Sequence, residues 1–282
     1  MVETTRFTHE GTELSALLFR PGGSRGPVPA VVAAQGFGNI KEVFLPVIGE
    51  HLAAAGIATL AFDYAGFGDS GGAPRQHVDP EAQLAEYGSA LSCLSQLDGI
   101  DPQRLGVFGI SLAGGHAIRL TATDERVRCA MALVPFFEIN SAEASADLLD
   151  AIMVDAMARE RGEPHGTIPI VGQPGDLAVI TEGGAADILI DAAPNLCNEV
   201  TLASLIEMSS YNPLAGVDAL RAPLRVVLGS EDSVNPAAIS RSALAPFAGV
   251  DYVELPAGHF SIFTDHADDL VTASIEWFTR HL

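Results

Sequence analysis

The sequence predicts an α/β fold with a mostly parallel central sheet. Runs of β-branched and apolar residues alternate with longer amphipathic segments, the rhythm expected of strands joined by crossover helices. The chain has 282 residues, of which 48% are hydrophobic. That composition is sufficient for one large domain, or one domain with an insertion, built around an extensive core.

The first half of the chain contains these patterns in regular order. A hairpin is predicted around Gly11, followed by a strand that ends near Gln35 and a helix from Lys41 that stops at Gly56. Next come the strand "IATLAFDY", a helix that begins near Pro80, the strand "RLGVFGI", the helix "LAGGHAIRLTA" and the strand "RCAMALVP".

A long interval separates this last strand from the next one, "LRVVLG". It is too long for one crossover helix, so we expect residues 136–212 to form an inserted helical lid. Its apolar runs "DLLDAIMVDAMARERG" and "EVTLASLIEMSSY" surround a Gly/Pro-rich middle. Residues 1–135 and 213–282 then form the core, which closes with the strand and loop "VDYVELPAGHF" and the helix "HADDLVTASIEWFTRHL".

Charge and hydropathy exclude several classes of partner. The net charge is −21, with 36 acidic against 15 basic residues, and Lys41 is the only lysine. A nucleic acid backbone would be repelled by this chain. No stretch has the roughly 18 uninterrupted apolar residues needed to span a membrane, so we expect a soluble cytoplasmic protein that does not bind membranes.

The three cysteines, Cys93, Cys129 and Cys197, are far apart in the sequence and form no metal-binding motif. We expect all three to be buried thiols and predict no metal site.

Ser111 is the candidate nucleophile. It lies in "FGISLAGGH", where a predicted strand turns sharply into a helix and lifts the serine hydroxyl above the sheet edge. The usual motif has glycine two residues after the serine, whereas this chain has Ala113, which is small enough to keep the turn. A serine hydroxyl needs a histidine to remove its proton and a carboxylate to orient that histidine.

Two later loops supply these partners. Asp232 follows the strand "LRVVLG", and His259 lies in "LPAGHF" after the next strand. Polar groups at the carboxyl ends of parallel strands converge at one edge of a sheet. Glu231 is the alternative acid. The main-chain N–H groups of Phe37 and Leu112 occupy the positions from which an oxyanion is normally stabilised.

Several segments together resemble the serine α/β-hydrolases: "VVAAQGFGN", "AFDYAGFGDSGG", "GIDPQRLGVFGISLAGGH", "LGSEDSVNP" and "PAGHF". The segment "GGAPRQHVDPEAQ" leading to "SLAGGH" is similar to dienelactone-hydrolase-like and acyl-peptidase-like enzymes, including members that release or transfer polyketide acyl chains. The resemblance implies the α/β-hydrolase fold. It also implies Ser111 as nucleophile, His259 as general base and acid, Asp232 as its orienting carboxylate, and no metal or organic cofactor.

Other polar residues receive structural interpretations. His116 is expected to pack against the sheet, and His165 to lie in an exposed loop of the insertion. Asp63 could be read as a carboxylate nucleophile, but Ser111 already occupies the strand-to-helix turn, so Asp63 is expected to shape its loop. Six residues are candidates for an apolar acyl pocket or for holding the lid to the core: Phe136, Phe137, Met153, Met157, Met208 and Tyr211.

The sequence therefore predicts a serine hydrolase that cleaves an ester, a thioester or a related small-molecule acyl substrate. Alternatives with the same residues are an acyltransferase or cyclase of secondary metabolism and a C–C bond hydrolase, and peptide hydrolysis also stays open. A catalytically silent ligand-binding protein is a further alternative, since fold does not fix function. The sequence leaves open whether the protein forms a homodimer.

Overall fold

The computed structural model describes residues 1–23, 26–139 and 145–282, which contain ten strands and nine helices. The strands are β1 (Val2–His9), β2 (Thr12–Phe19), β3 (Val28–Ala34), β4 (Ala58–Phe62), β5 (Ile100–Ile110), β6 (Val127–Leu133), β7 (Thr167–Ile168), β8 (Val200–Thr201), β9 (Leu224–Gly229) and β10 (Val250–Leu255). The helices are α1 (Leu45–Ala54), α2 (Pro80–Gln96), α3 (Leu112–Thr123), α4 (Ala146–Glu160), α5 (Ala185–Ala192), α6 (Leu202–Ser210), α7 (Ala237–Leu244), α8 (Ile262–Asp265) and α9 (Ala267–His281).

Eight strands form one sheet in the order β1-β2-β4-β3-β5-β6-β9-β10. The six strands from β4 to β10 run parallel, and the β1-β2 hairpin adds an antiparallel edge. Apolar clusters lie on both faces of the sheet, as parallel strands require. This architecture confirms the predicted α/β-hydrolase fold.

Local sequence signals account for most element boundaries. The turn of the first hairpin uses Glu10 and Gly11, both with positive φ (45° and 84°), as a two-residue hairpin requires. Helix α2 begins after Asp79, whose carboxylate accepts hydrogen bonds from the N–H groups of Glu81 and Ala82.

The predicted start of the first helix at Lys41 is wrong by four residues, since α1 begins at Leu45. The Lys41 N–H donates to the buried Asp63 carboxylate at 2.7 Å, which holds the preceding segment in a loop. Phe44 then has a positive φ of 57°, which a helical residue does not adopt.

The segment between β6 and β9 contains α4, α5, α6 and the short antiparallel pair β7-β8. Helices α4 and α6 match the two predicted apolar runs. Helix α5 was not predicted, because it is only eight residues long and lies outside both apolar runs. The described part of this segment therefore contains helices, as predicted.

Helix α4 lies at the surface of the protein. Its one buried residue is Asp155, which accepts hydrogen bonds from the Gly166 N–H and the Arg159 guanidinium. Met153 and Met157 are 63% and 57% exposed on the other side. The inward side of α4 therefore combines this hydrogen-bonded carboxylate with Leu148, Ala151 and Ile152, which are partly buried and pack against the core.

Gly109 provides a test of the packing between β5 and α3. A Cβ atom there would lie 1.9 Å from the main-chain oxygen of Ala113, so α3 would have to move. We expect Gly109→Ala to lower the free energy of unfolding by at least about 2 kcal/mol. Urea denaturation measures this value.

Gly88→Ala is the matched control, because Gly88 lies in α2 with no atom within 4 Å of an added Cβ. It should raise the free energy of unfolding by up to about 1 kcal/mol, through helix propensity. Equal effects of the two substitutions would contradict the close approach at Gly109.

Candidate active site

Ser111 lies at the turn between β5, the fifth strand of the sheet, and α3. Its φ of 53° and ψ of −114° belong to a region that non-glycine residues rarely adopt. The turn is held by the Ser111 N–H, which donates to the Leu133 oxygen at 2.9 Å, and by the Ser111 oxygen, which accepts from Phe136 N–H at 2.9 Å. The surrounding chain therefore fixes a strained serine at the carboxyl end of the sheet.

Small residues allow this geometry. Gly109 has no space for a side chain, and a Cβ atom on Gly36 would lie 2.8 Å from the Ser111 Cβ. Ala113 replaces the usual second glycine and is fully buried. The loop after β3 can thus approach the serine closely from one side, while α3 leaves from the other.

His259 and Asp232 form a hydrogen-bonded pair, with 2.8 Å between His259 Nδ1 and Asp232 Oδ2. Both side chains are buried, and Asp232 Oδ1 also accepts from the N–H groups of Val234 and Asn235 at 2.9 Å and 2.7 Å. Three donors therefore keep this carboxylate oriented toward the histidine. Glu231, the alternative acid, is exposed.

Asn235 is a site residue that the sequence analysis did not single out. Its Nδ2 lies 3.4 Å from Ser111 Oγ and donates to the Val134 oxygen at 2.8 Å. The side chain is buried, so it links the Asp232 loop to the serine turn. The only sequence signal was its position three residues after Asp232.

The Phe37 and Leu112 amides lie near the serine at the ends of two different elements. Phe37 is in the loop after β3, and Leu112 is the first residue of α3, where a helix leaves its N–H groups without intrahelical acceptors. Within the described ranges, no hydrogen bond uses either N–H as donor. Both amides are thus free to stabilise negative charge on a bound oxygen.

A cavity of about 570 Å³ opens over Ser111 and His259. The loop after β3 contributes Gln35, Phe37 and Phe44 to the lining, and Phe260 and Phe263 follow His259. The rings of Phe44 and Phe263 meet edge to face, with their centroids 4.9 Å apart. The volume is in the range of small-molecule sites, and the wall is mostly apolar. A substrate with a hydrocarbon portion would fit this environment.

Helix α5 and the loop before it also line the cavity. Ile170, Ile180, Ile188, Leu189 and Ala192 contribute apolar surface, whereas Asp187 and Asp191 supply carboxylates. The two predicted apolar runs therefore do not include the residues of this segment that line the cavity.

None of the six candidate pocket residues lines this cavity. Phe136, Phe137, Met208 and Tyr211 are buried in the core, whereas Met153 and Met157 face solvent on α4. Their predicted position at the cavity is therefore wrong. The residues of this segment that do line the cavity lie instead in α5 and in the loop before it.

Comparison with known proteins places this geometry in a family. The model of the alpha/beta hydrolase family matches residues 31–273. The chain belongs to the alpha/beta hydrolase family. Two similar relatives are the quorum-quenching protein AidA of Acinetobacter baumannii (strain MDR-ZJ06) and thiohydrolase aneE of Aspergillus aculeatus.

These relatives match over most of their length. AidA is 27% identical over 98% of this chain and 93% of its own, and aneE is 31% identical over 83% and 78%. The solved structure of the alpha/beta hydrolase GrgF from Penicillium sp. sh18 has a TM-score of 0.84 and 21% identity, covering 100% of this chain and 99% of its own. Membership in this family supports hydrolase activity.

His116 lies in α3, where its ring is in edge-to-face contact with Tyr64 and Tyr211. It is fully buried, its Nδ1 lies 2.6 Å from the Tyr211 hydroxyl, and it is absent from the cavity wall. Burial lowers the pKa of His116 to about 3, with a further contribution from Arg119. A neutral histidine in this position holds the end of the insertion against α3. His165 lies near His77, with ring centroids 5.7 Å apart.

The only lysine of the hydrolase joins two loops behind the site. Lys41 Nζ lies 2.7 Å from Asp63 Oδ2, 2.8 Å from Glu42 Oε1 and 3.0 Å from Asp69 Oδ2. Burial acts to lower the pKa of Lys41, but these carboxylates outweigh it and raise the pKa above its ordinary value. The ion pairs connect the loop that carries Phe37 to the loop after β4, so Asp63 does shape its loop.

Those three carboxylates are the one group in the described parts of the chain that lie close enough together to hold a metal ion. The Lys41 ammonium already contacts all three. The cluster is therefore an ion-pair network with a positive centre of its own.

The prediction of three buried thiols is correct only for Cys129. Cys93 is half-buried and Cys197 is exposed. Cys197 lies in the loop before β8, where its Sγ is 3.6 Å from a carboxylate oxygen of Glu199. The described helices include none that is long and apolar enough to cross a membrane.

The Lys41 network predicts a large loss of stability when its positive charge is removed. Asp63 and Lys41 have 0% and 1% of their side chains exposed, so Lys41→Met leaves a buried carboxylate without its partner. We expect the free energy of unfolding to fall by about 3–5 kcal/mol. Chemical denaturation at pH 7 measures it.

Arg161→Met is the matched control, because the Arg161–Glu163 pair has more than half of each side chain exposed. Its effect should stay below about 1 kcal/mol. A loss of similar size in both variants would contradict the buried network.

Proposed function

We propose that this protein is a serine hydrolase that cleaves a thioester or ester of a small, largely apolar acyl substrate. The observation that carries the proposal is the placement of Ser111 and His259 in one cavity, with His259 hydrogen-bonded to the buried Asp232 at 2.8 Å. This arrangement has the roles and the chain order of a nucleophile, a base and an orienting acid.

The proposed reaction has two steps. Ser111 Oγ attacks the acyl carbonyl while His259 takes its proton, and the Phe37 and Leu112 amides stabilise the oxyanion. The leaving thiol or alcohol then takes that proton from His259, which leaves the acyl group on Ser111. Water attacks this ester with the help of the same histidine, and the carboxylic acid departs.

The apolar cavity favours an acyl chain over a peptide. The similarity to thiohydrolase aneE supports a thioester as the scissile group. We also propose that residues 136–212 act as a lid on the core formed by residues 1–135 and 213–282. The contacts of α5 with the cavity support this assignment. Exclusion of water by such a lid would favour transfer of the acyl group to an alcohol or amine.

The mechanism predicts that Ser111→Ala lowers turnover by at least about 10³-fold. The assay uses N-acetylcysteamine thioesters and p-nitrophenyl esters of increasing acyl length. Ser209→Ala removes an exposed hydroxyl on α6 and should leave turnover unchanged. Undiminished turnover in Ser111→Ala would overturn the mechanism.

The products of the same reactions separate hydrolysis from transfer. Mass spectrometry after incubation with alcohols and amines should find the free acid as the main product. Ester or amide products that exceed the free acid would instead identify an acyltransferase.

A further inference from the structure

Asn235 places an amide donor against the proposed nucleophile. Its Nδ2 lies 3.4 Å from Ser111 Oγ and 2.8 Å from the Val134 oxygen. A carbonyl oxygen can only accept a hydrogen bond, so the contact with Val134 identifies the nitrogen end of the amide. The same NH2 group has a second proton for the serine. Within the described ranges, Asn235 is the one side chain that forms a hydrogen bond with Ser111 Oγ.

The carbonyl group that orients this amide belongs to a strained residue. Val134 directly follows β6 and has a φ of 42°, which is exceptional for a β-branched residue. It is buried, and its N–H donates to the Val227 oxygen of β9 at 2.8 Å. Backbone strain of this kind persists only where the surrounding structure enforces it, and it is common at functional sites. The main chain at the end of β6 therefore fixes the direction of the Asn235 amide.

The main chain of Asn235 binds a different partner. Its N–H donates to Asp232 Oδ1 at 2.7 Å. Pro236 follows, and a residue that precedes proline is restricted to extended conformations. Asn235 thus holds the proposed acid through its main chain and contacts the proposed nucleophile through its side chain. A substitution removes only the side-chain contact, so the two roles can be separated.

Asn235 approaches the serine from outside the cavity. Among the described residues, those that line the cavity include Ser111 and His259 but not Asn235, which is 8% exposed. A bound substrate would therefore contact the serine and not the amide behind it. An interaction with the reacting oxygen that strengthens in the transition state raises kcat, whereas an interaction with the bound substrate lowers KM. This position therefore favours an effect on kcat.

We propose that Asn235 is a catalytic residue that donates a hydrogen bond to Ser111 Oγ while this oxygen carries negative charge. The charge develops first when Oγ bonds to the acyl carbon and its proton passes to His259. It develops again when water has attacked the acyl-enzyme, the bond between Oγ and the acyl carbon breaks, and Oγ regains a proton from His259. The amide keeps its own protons throughout, as an oriented donor does. This role rests on the proposed hydrolase mechanism.

The direct test replaces the hydroxyl by a thiol, whose ionisation is visible in the ultraviolet. The difference between the titrations of Ser111→Cys and the wild type isolates the introduced thiol from the three native cysteines. A hydrogen bond to the charged form lowers a pKa, so adding Asn235→Ala should raise the apparent pKa of this thiol by about half a unit or more. An unmoved pKa would overturn the proposal.

Asn212→Ala is the matched control. It removes an exposed amide whose Oδ1 accepts from the Leu214 N–H, and it should leave the thiol titration unchanged. An equal shift in Asn212→Ala and Asn235→Ala would show that the effect does not depend on the contact with Ser111, and would overturn the proposal.

Kinetics test the same hydrogen bond in the chain that retains its serine. Asn235→Ala should lower kcat at least about tenfold and leave KM within about twofold. Labelling of Ser111 by a fluorophosphonate should slow by a similar factor, because it uses the same oxygen. A raised KM with an unchanged kcat would place the amide in substrate binding and overturn the role.

Asn235→Asp gives a second reading if Asn235→Ala does not fold. It keeps the shape of the side chain but puts a carboxylate against the thiolate, so the pKa of the thiol should rise by more than in Asn235→Ala. If neither variant folds, NMR of Ser111→Cys with isotope-labelled asparagine follows the amide directly. One Nδ2 proton should shift as the thiol ionises, and two unmoved protons would overturn the proposal.

The thiol titration does not depend on turnover. Failure of the wild type to turn over any acyl substrate would therefore reject the proposed function, whereas an unmoved titration would reject only the role of Asn235.

Discussion

The close approach of β5, α3 and the loop after β3 at Ser111 is the constraint on which the rest of the site depends. Gly109 and Gly36 leave no room for side chains, and Ser111 adopts a positive φ that its main-chain hydrogen bonds maintain. Such backbone strain persists only where the surrounding structure enforces it. The parallel sheet supplies that enforcement, because β3 and β6 flank β5.

Polar groups around this turn are fixed by buried interactions rather than by surface charge. Asp232 is held by two main-chain N–H groups, Asn235 links its loop to Ser111, and Lys41 joins the loop of Phe37 to Asp63. The chain has a net charge of −21, and its only lysine takes part in this buried network. These contacts fix the positions of the loops around Ser111.

The sequence predicted the parts of the molecule that follow from local rules. Alternating strand and helix patterns predicted the fold. The glycine spacing around Ser111 predicted the strand-to-helix junction, because this spacing and the order of residues along the chain can be read directly from the sequence. The same rules did not identify the residues between β6 and β9 that line the cavity. Helical periodicity favoured residues of the longer α4, Met153 and Met157, as cavity residues. Residues of the shorter α5 line the cavity together with Ser111 instead.

That failure has a tertiary cause. Asp155 is buried because it accepts a hydrogen bond from the Gly166 N–H, a contact that a helical pattern does not predict, and Met153 and Met157 on the other side are left exposed. Similarly, α1 begins four residues later than predicted, because the Lys41 N–H donates a hydrogen bond to Asp63, 22 residues away. Asn235 had no motif of its own, since its position near Ser111 arises only when distant loops meet.

The most direct test of the central claim is covalent labelling by a fluorophosphonate, with the adduct located by peptide mass spectrometry. We expect one adduct, on Ser111. It should form rapidly in the wild type and very slowly in His259→Ala, because in the proposed mechanism the serine hydroxyl is activated only through that histidine. Labelling of another residue, or labelling of Ser111 at the same rate without His259, would contradict it.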